Sequence, residues 1–144
     1  MEKMFTLNAT DVRRDWSAVM ESVVREKPQI IKRTRDYMVL TDIKLLENLL
    51  SAYIFTADQF TEEDGTITLS LNELDLAENA ESETEARKLL GKSILEYAID
   101  YYSEFSLWSS APNRQSHVPY ILKALIVDNA ERIGESILCR PGKS

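Results

Sequence analysis

The sequence predicts an α+β protein built in two parts, and three features carry that prediction. Across residues 5–50, apolar residues recur first at period two, then at steps of three and four, then in two β-rich runs, then again at helical spacing. Formal charge divides the chain near the same point. Residues 1–52 carry nine Lys/Arg against eight Asp/Glu, whereas residues 53–144 carry eight against sixteen. Beyond Tyr53 a fresh strand-like alternation and one long amphipathic stretch begin. The expected domains are therefore residues 1–52 and residues 53–144, the second a β-hairpin followed by helices.

Phe5 and Leu7 alternate with polar neighbours, as in a short strand. Asn8 can cap a helix, with Asp11 three positions later. Val12, Trp16, Val19, Met20, Val23 and Val24 then mark one face of a helix of roughly four turns. Pro28 closes it, because the residue before a proline is pushed out of helical geometry. Gln29–Thr34 and Tyr37–Thr41 are β-rich, and a tight link at Arg35–Asp36 predicts a hairpin. Thr41 or Asp42 can cap a second helix with Ile43, Leu45, Leu46, Leu49, Leu50 and Tyr53 as its apolar residues.

In the second part, Ile54 and Phe55 open a strand ending before Glu62. Asp64–Gly65 supplies a positive-φ turn, and Ile67, Leu69 and Leu71 alternate along the return strand. Residues 72–82 read as a polar loop. Ser82 or Thr84 starts a long helix whose apolar face includes Ala86, Leu89, Leu90, Ile94, Tyr97, Ala98, Tyr101, Tyr102 and Phe105. Its acidic first turn suits the positive end of the helix dipole. A break at "SSAPNRQS" precedes a short helix over Val118–Val127, with Pro119 tolerated in its first turn. Asp128–Asn129 turns a corner, a last short helix or extension covers Ala130–Leu138, and "RPGKS" reads as a frayed tail.

Composition narrows function. No run of eighteen apolar residues crosses a membrane, and the N-terminus lacks the apolar block of a signal peptide. The single cysteine, Cys139, excludes an internal disulfide and a cysteine-based zinc site, so a cytoplasmic location is expected. No Walker loop, dinucleotide fingerprint or zinc-protease motif appears. The expectation is a non-enzyme with no cofactor and no metal. Glu62, Glu63 and Asp64 read as a solvated turn, and His117 as a helix-start or loop histidine bonded to backbone. The Asn113–Arg114 pair reads as a structured loop before an anion site, and the stripe Tyr97, Tyr101, Tyr102, Phe105 as packing.

A net charge of −7 taken whole argues against nucleic acid. Residues 25–35, however, hold five basic residues against Glu26 alone. Local potential decides where a phosphate backbone docks. The candidate DNA-binding residues are Arg13, Arg14, Lys32, Arg33 and Arg35. Composition by itself favours ordinary solvated charge for this group.

Three segments carry a family resemblance. "NATDVRRDWSAVMESV" resembles the N-terminal motif of Phd/YefM antitoxins, a polar pair leading into an Arg-bearing helix. "KPQIIKRTRDYMVLTD" resembles their strand pair, and "DIKLLENLL" the helix that closes their domain. The resemblance implies a strand–helix–strand–strand–helix fold for residues 1–52, a dimer around a common core, and operator DNA as partner. It places the family's helix-borne arginine on Arg13 and its hairpin arginine on Arg33, with Arg14, Lys32 and Arg35 auxiliary. Family members usually end in a segment that folds only on a toxin. Residues 53–144 instead read as a folded acidic domain, and their "EEDGTITLSLNELDLAENAESETEARKLL" weakly resembles HicB-type antitoxin domains.

The reading is an antitoxin-type transcriptional regulator that binds operator DNA as a homodimer or dimer of dimers and neutralises a basic toxin protein. Two alternatives stay open: an interaction or oligomerisation module that no longer touches DNA, and an orphan regulator.

Overall fold

The computed structural model describes residues 5–142. The chain divides into two compact units, Met1–Leu49 and Leu50–Ser144. Both mix sheet and helix, so the α+β class holds throughout.

In the first unit, strand β1 (Thr6–Asn8) runs into helix α1 (Ala9–Arg14) through Asn8, whose side chain accepts from the Thr10 amide at 2.8 Å. That bond satisfies one of the orphan donors of the first turn. The four-turn helix expected here is broken. At Asp15 the backbone turns to φ −106°, ψ 32°, and a second helix, α2 (Trp16–Arg25), continues beyond it. Asp15 still donates its amide to Asp11 and accepts from Val19, so the break is a kink in one hydrogen-bonded column. Strands β2 (Gln29–Arg33) and β3 (Asp36–Leu40) form the hairpin. Arg33 stands opposite Asp36, so the turn is Thr34–Arg35, one residue earlier than the sequence suggested. Thr34 has φ 55°, a conformation that β-branched residues rarely adopt, which is why sequence preference misplaced the turn. The sheet order is β1-β2-β3, with β1 parallel and β3 antiparallel to β2. Helix α3 (Ile43–Leu49) ends the unit and buries none of its residues.

The second unit opens with a single 3₁₀ turn at Leu50–Ala52. Strands β4 (Thr56–Thr61) and β5 (Ile67–Leu71) form the expected hairpin, with Gly65 at φ 86° in its turn. The polar stretch expected as a loop instead contains strand β6 (Ala77–Ala80), antiparallel to β5. Alanine, glutamate and asparagine carry little strand preference. What fixes them is pairing, and Asn79 donates to both the Thr66 and Thr68 hydroxyls at 2.9 Å. Helix α4 (Glu83–Ser103) is capped by the Ser82 hydroxyl, which accepts from the Glu85 amide. It stops at Ser103, and a short helix α5 (Phe105–Ser110) follows. A 3₁₀ turn at Gln115–His117 leads into α6 (Val118–Val127), whose bounds match the expected ones. Asp128 takes the left-handed corner at φ 48° before α7 (Ala130–Ser136).

The expected frayed tail is a second correction. Leu138–Pro141 forms strand β7, parallel to β4, and the Gly142 amide donates to the Gln59 carbonyl. Lys143 and Ser144 lie outside the described residues. The sheet is therefore β6-β5-β4-β7, four strands where a hairpin was expected. Ala57, Leu69 and Leu71 face Ala86, Leu90, Ile94, Ala98 and Tyr101 of α4, with Ile121, Ala124, Ile133 and Ile137 closing the core. Gly91 of α4 lies against α7 so closely that a Cβ there would stand 2.8 Å from the Gly134 backbone nitrogen.

Candidate nucleic-acid interface

Parallel pairing sets Asn8 opposite Lys32, so the capped start of α1 lies beside the end of β2. The polar groove between them, of about 410 Å³, is lined by Asn8, Ala9, Thr10 and Arg13 from one side and Lys32, Arg33 and Thr34 from the other. Arg13, Lys32 and Arg33 are thus brought together from sequence-distant positions. Thr10 and Thr34 join them, hydroxyl donors that no charge count would single out. Arg13 and Arg33 make no ion pair among the described residues, while Lys32 sets its ammonium 5.7 Å from the centre of the Tyr37 ring.

The other two candidates are not part of this groove. Arg14 lies one position around the helix and reaches Asp11 and Asp15, each at 3.3 Å. Those contacts raise its pKa, the hydrogen bond it donates to Asp15 first, and they leave its charge locally compensated. Arg35 occupies the hairpin turn and is exposed.

A second groove, of about 730 Å³, shares Arg13 and Arg33 with the first but is otherwise apolar, with Val12, Trp16, Ile31, Met38 and Val39 among its lining. The first unit buries little. Val12, Val23 and Ile31 are its only described residues in the buried apolar class, while Trp16, Met20, Met38 and Val39 stay between 41% and 62% exposed.

His117, in the second unit, belongs to a different arrangement. It is 5% exposed, and its Nδ1 lies 2.7 Å from the Tyr97 hydroxyl. Its partner is a side chain, where backbone was expected. Arg114 donates to that same hydroxyl at 3.1 Å, so the Tyr97 oxygen joins the guanidinium to the imidazole. Arg114 also lies over the Tyr97 and Trp108 rings and 3.7 Å from Asp75, so it is a structural centre, not an open anion site. Cys139 is half-buried, its thiol pushed up by burial, and neither it nor Ser116 bonds the imidazole. Burial, then the Arg114 charge, pull the His117 pKa below its usual value, against an opposing pull from Asp75. A lowered native pKa means that the unfolded chain binds the extra proton more readily. The stability His117 contributes is present above the ordinary histidine range, about pH 6.5, and is lost as pH falls through the native value. Thermal melts at successive pH values between 7.5 and 5 should fall more steeply for the wild type than for His117→Asn. Parallel curves would rule this account out.

Comparison with known proteins agrees with the fold and narrows the class. Residues 1–139 match the family model PHD_like, described as antitoxin of toxin-antitoxin, RelE / RelB, TA system. The chain belongs to this antitoxin family. It is similar to a crystal structure from Syntrophomonas wolfei subsp. wolfei, of the antitoxin part of a proposed toxin/antitoxin system. That match has 37% identity and a TM-score of 0.89, covering 96% of this chain and 99% of the other. No protein with a curated description matches the chain.

Proposed function

We propose that this antitoxin represses transcription by binding operator DNA as a homodimer through its first unit, in the manner of Phd/YefM regulators, and holds a toxin with its second. The observation that carries the DNA reading is the convergence of Arg13, Lys32 and Arg33 on one polar groove at the capped start of α1. Lysine and arginine neutralise phosphates, and an arginine fork can also read guanine edges. The dimer follows from the hydrophobic account. A unit of about fifty residues that leaves Trp16, Met20, Met38 and Val39 in water lacks the burial that so short a chain needs to fold alone. A second copy on the apolar groove would remove that surface from water and set two basic grooves in a two-fold arrangement, as a palindromic operator requires.

Two measurements test the reading together. Sedimentation of the full chain should give a dimer or a multiple of it. Gel shifts with the DNA upstream of its own gene should give an affinity that falls by several powers of ten between 50 and 200 mM salt. A monomer, or an affinity indifferent to salt, would overturn the reading.

A further inference from the structure

We infer that the C-terminal end of α4 and the start of α5 form the docking surface for the toxin, through a basic face of that partner. The inference rests on the toxin-holding reading above and adds where contact is made. Sequence spacing assigned Tyr102 to the buried face of α4. Instead it is 61% exposed, with Ile99 at 48% three residues before it and Leu107 at 60% in α5. Tyr102 is not loose: its ring meets Phe105 edge-on at 6.3 Å between centres. A fixed, exposed tyrosine is a residue type enriched among interface hot spots.

Charge names the occupant. From Ser93 to Asn113 the chain carries Glu96, Asp100 and Glu104 and no lysine or arginine. Among the described residues only Glu96 of these has an ion-pair partner, Lys92 at 4.0 Å. Asp100 lies in the last turn of α4 and Glu104 is its C-cap, with no basic residue there to offset them. Carboxylates at that end oppose the helix dipole, so the helix by itself gains nothing from them. A cation from a partner would be favoured by both carboxylates and by the negative end of the helix dipole. A second copy of this chain would bring like charges face to face, which disfavours self-association here. The partner that fits is a folded protein presenting lysine or arginine around an apolar recess.

The test uses the full chain and the purified product of the open reading frame beside its gene, with affinity measured by calorimetry. Asp100→Lys with Glu104→Lys, and separately Tyr102→Ala, should each weaken binding by about tenfold or more. Lys88→Glu, nearer the start of α4, should leave it unchanged. The charge-reversed variant should melt no earlier than the wild type, because lysine suits a helix C-terminus. Asp100→Asn with Glu104→Gln provides a milder variant of the same shape. Operator gel shifts should be unaffected in all of them. If the wild type binds and these variants bind as tightly, the surface is wrong while the toxin-holding reading survives. If the wild type does not bind at all, both fall.

Discussion

Gly91→Val should lower the melting temperature of the second unit by about 12–40 °C. A Cβ at position 91 would overlap the Ala130 carbonyl oxygen and stand 2.8 Å from the Gly134 nitrogen, both backbone atoms that cannot rotate away. The reciprocal position is as crowded, with a Cβ on Gly134 reaching 2.5 Å from the Arg87 carbonyl oxygen. Moving α7 outward would also strip Arg87 of its bonds to the Gly134 and Ile137 carbonyls, at 3.2 and 2.6 Å. Replacing glycine within a helix gains at most about 1 kcal/mol of propensity. Overpacking of this severity costs about 3–5 kcal/mol, against a total stability of about 5–15 kcal/mol. A Gly91→Ala variant should already lower the melting temperature by ten degrees or so, while Lys92→Ala on the exposed side should leave it within a few degrees. Circular dichroism melts of the three variants decide the matter. A Gly91→Val protein that melts with the wild type would mean that α4 and α7 do not meet at these glycines.

Arg13→Ala with Arg33→Ala should abolish operator binding at physiological salt while leaving the fold intact. Each arginine that contacts a base or phosphate contributes about 1–3 kcal/mol, so losing both lowers affinity by roughly a hundredfold or more. The slope of log affinity against log salt should fall by about four if both contact phosphate, because the dimer loses two contacts from each protomer, and the preference for operator over unrelated DNA should shrink if either reads a base. Neither residue makes an ion pair among the described residues, so truncation leaves no buried charge behind. Arg14→Ala makes an informative contrast. Its guanidinium is already engaged by Asp11 and Asp15, so its loss should weaken binding far less. Equal effects from Arg13 and Arg14 would remove the groove from the account. Gel shifts at two salt concentrations, with circular dichroism to verify the fold, separate these outcomes.

Sequence spoke clearly wherever a local rule was decisive. Pro119 and the Asp128–Asn129 corner bracket α6, and Ser82 marks the start of α4, because capping and proline geometry act over a few residues. It failed where a distant partner decides. β6 is a strand because β5 lies alongside it, and β7 because β4 does, while Arg140–Pro141 read alone suggests a tail. Nothing in the local sequence marks Gly91 or Gly134, because their role comes from the approach of two helices more than forty residues apart in the chain. The basic residues of the candidate interface could be listed from sequence. Their sorting into Arg13, Lys32 and Arg33 on one groove, with Arg14 held by carboxylates, depends on helix phase and on the β1–β2 register.

The pairing of β4 with β7 also sets an order in time. Asp58 and Arg140 meet across 82 residues of sequence, whereas Arg33 and Asp36 pair across a two-residue turn. At roughly 5–20 residues per second, synthesis takes about 4–16 s to bring the second partner of that long-range pair into existence. Contacts so far apart in the chain also form slowly once available. During each round of translation the first unit is synthesised in full well before the second has its sheet. The two halves of the molecule are thus completed at different moments, the first while the second still lacks its last strand.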